Sequence, residues 1–179
     1  DLKLITCHLG NGCSISAIDH GVAVDTSMGL TPLDGLMMGT RCGSIDPAIV
    51  TYLIEHENLT AQEVNDLMNK QSGLLGISGL SNDLRTIRAA SEEGHERAQL
   101  AYEMYSNSVK KFIGSYIAVL GGVDAIVLTA GVGENCEKMR RMIFAGLNSI
   151  GIELDPEKNK ERGYEREIST EDSRVRIIV

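Results

Sequence analysis

The sequence predicts an α/β fold, a mixed β-sheet with helices packed on its faces, from three observations. Short apolar runs separated by glycine turns fill the first 27 residues. Helical periodicities take over until about residue 120. The continuous apolar run Asp124 to Thr129 then reads as a strand at the centre of a covered sheet.

The elements follow in order. Leu2 to Cys7 is a strand, and Gly10-Asn11-Gly12 is a strong hairpin signal. Ser14 to Ile18 alternates as a second strand, His20-Gly21 turns it, and Val22 to Asp25 completes a β-meander. The Gly- and Met-rich segment Ser27 to Ser44 has no clean period. Asp46 followed by Pro47 opens a helix to about Glu57, with Ile49, Leu53 and Ile54 on one face. Thr60 and Glu63 form a capping box for a second helix carrying Val64, Leu67 and Met68. Ser72 to Gly79 reads as a glycine-punctuated loop, and Ser81 or Asn82 caps a short helix from Asp83 to about Glu92. The longest helix runs from about Glu96 to Leu120, with Ala101, Met104, Tyr105, Val109, Phe112, Ile113, Tyr116 and Leu120 recurring on one face at helical spacings of three and four. Ala130-Gly131-Val132-Gly133 breaks the central strand. A helix from Asn135 to Ser149 follows, with Met139, Met142, Ile143 and Leu147 inward. Glu153 to Asp172 is charge-dense and reads as a solvated connection, and Val175 to Val179 is a final strand. No repeat and no internal linker divides the chain, so residues 1–179 are expected to form a single domain.

Composition removes several function classes. The 179 residues carry Lys+Arg 17 against Asp+Glu 25, a net charge of −8, with only 4% aromatic residues. Such a chain has neither the basic footprint nor the stacking platforms of a nucleic-acid binder. No apolar run approaches the roughly 18 residues of a membrane span, and no signal peptide opens the chain. Cys7, Cys13, Cys42 and Cys136 include no C-x-x-C pair, which points to reduced thiols in a cytoplasmic protein. A zinc cluster of Cys7, His8 and Cys13 is the alternative. Both chain ends fall in apolar strand runs and are expected to be cuts through a larger fold.

Three features carry chemistry. His8-Leu9-Gly10-Asn11-Gly12 and Ala130-Gly131-Val132-Gly133-Glu134-Asn135 are glycine-rich turns after strands, where backbone N–H groups can approach an anion without a Cβ in the way. An ordinary hairpin and a tight strand-to-helix turn are the competing readings. The second turn is not a dinucleotide fingerprint, because Cys136 stands where the third glycine belongs, and nothing matches a P-loop. Arg41 is the sole Lys or Arg between Lys3 and Lys70 and sits in an apolar, glycine-rich loop. Its planar fork suits a carboxylate or phosphoryl oxygen, with an internal salt bridge to Asp34 or Asp46 as the alternative. Asp83 and Arg85 read as a capping aspartate and a solvated arginine.

Taken together, four runs resemble the acetate kinase family, which includes propionate kinases: His8 to Ile15, Asp25 to Pro47, Ser78 to Arg85 and Thr129 to Asn135. The resemblance implies the ribonuclease H-like fold shared with sugar kinases, actin and Hsp70-type ATPases. It implies phosphoryl transfer between ATP and a short carboxylate, giving ADP and an acyl phosphate, with Mg²⁺. Carried over by position, His8, Leu9, Gly10, Asn11 and Gly12 would hold the outer phosphates of the nucleotide. Asp83, Leu84 and Arg85 would border the ribose and adenine. Gly131, Val132, Gly133, Glu134 and Asn135 would pack on the nucleoside and inner phosphate. Arg41 matches the arginine that stabilises the transferring group, and Pro32 falls where the family contacts the alkyl end of the substrate. The chain would be the second, C-terminal domain of a two-domain kinase that forms homodimers. The family's catalytic aspartate, second arginine and histidine lie in the first domain, and its metal carboxylate lies beyond Val179. No metal ligand is therefore expected in this chain, and the chain alone is expected to be inactive. A propionate or butyrate kinase, or a non-catalytic actin- or Hsp70-like nucleotide-binding module, is the alternative reading.

Overall fold

The structure, a computed structural model, describes residues 2–163 and 165–179. The chain forms two compact units, Asp1–Ser27 with Ser106–Val179, and Met28–Tyr105.

The first unit is built on a five-stranded sheet. Its strands are β1 (Lys3–Leu9), β2 (Cys13–Asp19), β3 (Val22–Thr26), β4 (Ala125–Thr129) and β5 (Arg176–Ile178), in the order β3-β2-β1-β4-β5. The meander pairs antiparallel, whereas β4 pairs in parallel with both β1 and β5, so the sheet is mixed as the sequence predicts. Period-two alternation puts Ile5, Cys7 and Leu9 of β1, and Cys13, Ile15 and Ala17 of β2, in the core. The β2–β3 turn takes consecutive positive φ values at His20 and Gly21, the backbone a two-residue hairpin requires. Both paired strands reach further than expected, β1 to Leu9 and β2 back to Cys13, because the register runs unbroken from Lys3↔Asp19 to Leu9↔Cys13.

Two expectations in this unit are corrected. The turn at 130–133 is itself helical: α6 (Ala130–Asn135) begins directly after β4, and α7 (Glu137–Phe144) is separate and shorter than predicted. Cys136 (φ −110, ψ 86) breaks the two apart. The physical reason is visible in Arg140, whose Nη1 donates to the carbonyl oxygens of Gly133 and Glu134 at 2.8 and 2.9 Å. Side-chain donors thus satisfy the end of α6 in place of a continuing helix. The charge-dense stretch 153–172, in which residue 164 lies outside the described residues, is more than a solvated link. Leu154 bridges Ser169, Glu167 bridges Ile178, and Asn159, Ile168 and Ser169 are buried.

The second unit holds α1 (Ala48–His56), α2 (Ala61–Lys70), α3 (Gly73–Ser78) and α4 (Leu84–Glu92). The long helix α5 (Glu96–Leu120) crosses from this unit into the first. Asp46 Oδ1 accepts from Ala48 N–H at 2.9 Å, and Pro47 already has helical dihedrals, as the Asp-Pro signal predicts. Ile49 and Ile54, on the one apolar face the sequence shows, are 42% and 38% exposed, and no residue of α1 is buried. The capping box of α2 is present in both directions. The segment 72–79, expected as a loop, contains α3. Its start is capped by backbone rather than by a side chain: Leu74 and Leu75 N–H donate to the carbonyls of Met38 and Gly39 at 2.9 and 3.0 Å. Asp83 caps α4, accepting from Arg85 N–H at 2.8 Å.

Candidate functional site

In the first unit, strand pairing brings the two glycine turns side by side. The parallel register of β1 and β4 ends at His8↔Thr129, where His8 Nδ1 lies 3.1 Å from Thr129 Oγ1. A Cβ built on Gly10 would lie 3.6 Å from Ala130 Cβ, in ordinary contact. His8, Asn11, Gly131, Glu134 and Asn135 are exposed along this edge, whereas the Leu9 side chain is in the core and can contribute only backbone. Gly133 is buried, and a Cβ there would press to 3.3 Å on the carbonyl carbon of Leu128, so β4 would have to give by a few tenths of an ångström to admit a side chain. Ala130 takes φ +64, a left-handed backbone that non-glycine residues seldom adopt, and its N–H is held by Glu134 Oε1 at 3.0 Å. Asn135 Nδ2 donates to the Gly131 carbonyl at 3.1 Å. The turn is therefore braced by its own side chains at both ends.

Behind it lies a residue that sequence reasoning missed. Arg140 is 2% exposed. Besides the carbonyls of Gly133 and Glu134, it donates to Asn159 Oδ1 at 2.7 Å and to the Asn159 carbonyl at 2.7 Å. The signal was present, since Cys136, Met139, Arg140 and Ile143 share one helical stripe and an arginine on that stripe must find partners inside.

In the second unit, Arg41 is half-buried, and its Nη1 donates to the Pro32 carbonyl at 3.2 Å and lies 3.5 Å from Met38 Sδ. Arg41 and Pro32 are thus brought together. The salt bridge weighed as an alternative is not formed. Asp34 accepts instead from Ser44 Oγ and Gly35 N–H, and Asp46 caps α1. Among the described residues, Nε and Nη2 of Arg41 have no hydrogen-bond partner and the guanidinium makes no ion pair.

The loop presenting Arg41 is laced to the α2–α3 junction. Ser72 N–H donates to the Thr40 carbonyl at 2.9 Å, Cys42 N–H to Met68 at 2.9 Å, and Thr40 Oγ1 to Asn69 at 2.9 Å. Gly73 (φ +62) sits so tightly beneath it that a Cβ would stand 2.1 Å from Met38 O and 2.7 Å from Arg41 O. No sequence signal distinguished Gly73 from the other glycines of its stretch.

Asp83 and Arg85 form a local ion pair, with Arg85 Nη2 2.6 Å from Asp83 Oδ2 and the Arg85 side chain 91% exposed. Hydrogen bonds from the Arg85 side chain and backbone hold the Asp83 carboxyl below its ordinary range. This is the cap and solvated arginine that the residues alone predict. Leu84 is buried, so its side chain belongs to the core. Among the described residues, no three His, Cys, Asp or Glu side chains cluster as a metal site.

A model of the acetokinase family matches residues 1–179. The chain belongs to that family. It is 59% identical over 179 residues to the acetate kinase of Methanosarcina thermophila, covering 100% of this chain and 44% of that protein. It is 60% identical over 178 residues to the acetate kinase of Clostridium novyi (strain NT), covering 99% and 44%. The solved acetate kinase of Porphyromonas gingivalis superimposes with a TM-score of 0.96 at 48% identity, over 99% of this chain and 45% of that one. A propionate kinase from Francisella tularensis subsp. tularensis SCHU S4 does so with a TM-score of 0.93 at 44% identity, over 100% and 46%. The fold is accordingly that of the acetate and propionate kinases, a mixed sheet with helices on its faces. The chain spans under half the length of the relatives it matches.

Proposed function

We propose that this chain is the C-terminal nucleotide-binding domain of a two-domain, cytoplasmic, homodimeric acetate kinase that transfers a phosphoryl group between ATP and acetate. The observation that carries the reading is Arg41, a cation in a braced loop with no carboxylate paired to it among the described residues. In the reaction, an acetate oxygen bonds to the γ-phosphorus of ATP while the bond to the ADP oxygen breaks. Catalysis then rests on positioning and on neutralising charge at the moving phosphoryl. Arg41 takes that second role, with the Pro32 carbonyl holding Nη1 and with Nε and Nη2, which have no hydrogen-bond partner among the described residues, turned to phosphoryl oxygens. Pro32 itself lies beside the alkyl end of the substrate.

The paired turns serve the nucleotide: His8 to Gly12 the outer phosphates, and Gly131 to Asn135 the nucleoside and inner phosphate. Leu9 takes part through its backbone. Asp83, Leu84 and Arg85 border the ribose and adenine. Mg²⁺, when bound, adds charge neutralisation at the phosphates. The described residues offer it no cluster of their own, and no role here depends on one. The exposed apolar side chains of α1, Ile49, Tyr52 and Ile54, supply surface for dimerisation.

The test is full-length kinetics with a hydroxamate trap for acetyl phosphate. Arg41→Ala is expected to cut turnover by orders of magnitude while ATP binding survives. Near-wild-type turnover overturns the assignment, and acetate-dependent ATP consumption by the 179-residue chain alone overturns the claim that it is only part of the active site. The propionate kinase among its structural relatives supports a second reading, a longer acid as substrate. Side-by-side kcat/KM values for acetate, propionate and butyrate decide between them.

A further inference from the structure

A buried charge is normally neutralised by a partner of opposite sign, because removing it from water is costly. Arg140 breaks this rule. Its guanidinium is satisfied in hydrogen bonds but only by neutral oxygens: the carbonyls of Gly133, Glu134 and Asn159, and the Asn159 amide oxygen. Among the described residues no carboxylate lies within ion-pair distance of it. Burial, and after it the neighbouring Arg166, push its pKa down against the smaller opposing pull of Cys136 and Glu137, yet an arginine starts so far above neutrality that it keeps its proton.

Arg166 adds to the same field. Its Nη2 donates to the Glu134 carbonyl at 3.2 Å, and its Nε is buried with no hydrogen-bond partner among the described residues. Two cations therefore converge on the carbonyls at the end of α6, and the exposed side of that short helix is the Gly131–Asn135 turn. Asn159 completes the arrangement by donating from Nδ2 to the Glu137 carbonyl at 3.0 Å, tying the first residue of α7 to the same clip.

We infer that Arg140, clipped by Asn159, is the positioning residue of the Gly131–Asn135 turn, and that its charge, which no described carboxylate pairs with directly, draws the phosphates of the bound nucleotide. The inference rests on the nucleotide reading of that turn given above. The guanidinium fixes where α6 ends and α7 begins, and so fixes the shape of the turn. Since no carboxylate among the described residues pairs directly with the guanidinium, a polyanion bound at the turn gains from the buried cation, whereas an uncharged nucleoside does not.

The test measures Kd for ADP and for adenosine in the full-length kinase carrying this chain, well below its melting temperature, with urea denaturation recorded separately. Two variants are used. Arg140→Gln removes the charge and part of the fork. Asn159→Asp keeps an oxygen where Asn159 Oδ1 stands 2.7 Å from Arg140 Nε, but makes it a carboxylate, an internal counter-ion. Asn159→Asp is expected to raise Kd for ADP about tenfold and to change Kd for adenosine by less than twofold, and Arg140→Gln is expected to do the same to a greater extent. A purely structural role would lower stability and leave both Kd values of the folded protein unchanged, or weaken both ligands equally. Either result overturns the inference. Should Arg140→Gln not fold, Asn159→Asp decides alone, and ADP binding as in wild type refutes the charge argument. Failure of the wild type to bind ADP at all removes the nucleotide reading and this inference with it. Wild-type binding with unaffected variants removes only this one.

Discussion

Substituting Gly73 by alanine puts the Arg41 loop under direct test. Gly73 has φ +62, where an L side chain crowds its own backbone at a cost of about 1–2 kcal/mol. The added methyl would also stand 2.1 Å from Met38 O and 2.7 Å from Arg41 O, far inside van der Waals contact with backbone that cannot rotate away. Forcing extra volume into packed structure costs about 1–3 kcal/mol more. The expected loss of stability is therefore about 2–5 kcal/mol in urea denaturation of the full-length kinase.

Gly79→Ala is the control. Its φ is +69, but nothing lies within 4 Å of the new methyl, so it carries the backbone cost alone. The oxygens that must yield at Gly73 belong to the residues presenting the guanidinium, and misplacing a reacting group by about 1 Å costs roughly a hundredfold in rate. Gly73→Ala is therefore expected to lower kcat about a hundredfold with little change in ATP binding, and Gly79→Ala to leave kcat unchanged. Equal destabilisation by the two variants, with turnover intact in both, would refute the reasoning.

Four further outcomes follow. Thr60→Ala removes the hydroxyl that accepts from Glu63 N–H at 3.3 Å and should cost about 1 kcal/mol in urea denaturation. The Thr60 backbone N–H, then its hydroxyl, holds the Glu63 carboxyl below its ordinary range. Its contribution is thus present above the unfolded-chain pKa and lost as pH falls through the lower folded-state value, so the stability gap between wild type and Glu63→Gln should be wider at pH 7 than at pH 3. Ile126→Ala empties a fully buried position on β4 and should cost about 2–5 kcal/mol, read from the denaturation midpoint. Burial, with Asp25 beside it, pushes the Tyr116 phenol up to about 12, so ultraviolet titration should show this tyrosine ionising later than an ordinary one.

What could be read from the sequence was whatever depended on near neighbours. The meander is written in period-two alternation and the His20-Gly21 turn, and α5 in apolar residues recurring at helical spacings of three and four. Both use contacts a few residues away. Helix α3 was hidden because its first N–H groups are capped by the carbonyls of Met38 and Gly39, more than thirty residues earlier, with no capping side chain of its own. The break between α6 and α7 was hidden because Arg140 makes it by reaching back to the carbonyls of Gly133 and Glu134. At the site, the isolation of Arg41 was legible since charge spacing is a property of the chain. That Asp34 does not pair with it was not legible, because Asp34 was near enough in sequence to serve and is instead engaged by Ser44. Arg140 looked like any helical arginine until its stripe was seen to face the interior.

The interleaving of the two units bears on how the chain is made. Residues of β1 meet their β4 partners across a separation of 121 positions, His8 with Thr129 for example. At about 5–20 residues per second, roughly 6–24 s separate the emergence of β1 from that of β4 at the ribosome. Throughout that interval one edge of β1 has no strand beside it, while the intervening helices can assemble from contacts close in sequence. An apolar, unpaired edge of this kind is a template for pairing with another nascent chain. Slowing elongation within the segment 28–105 should therefore lower the soluble yield of the full-length protein without altering the stability of the molecules that do fold.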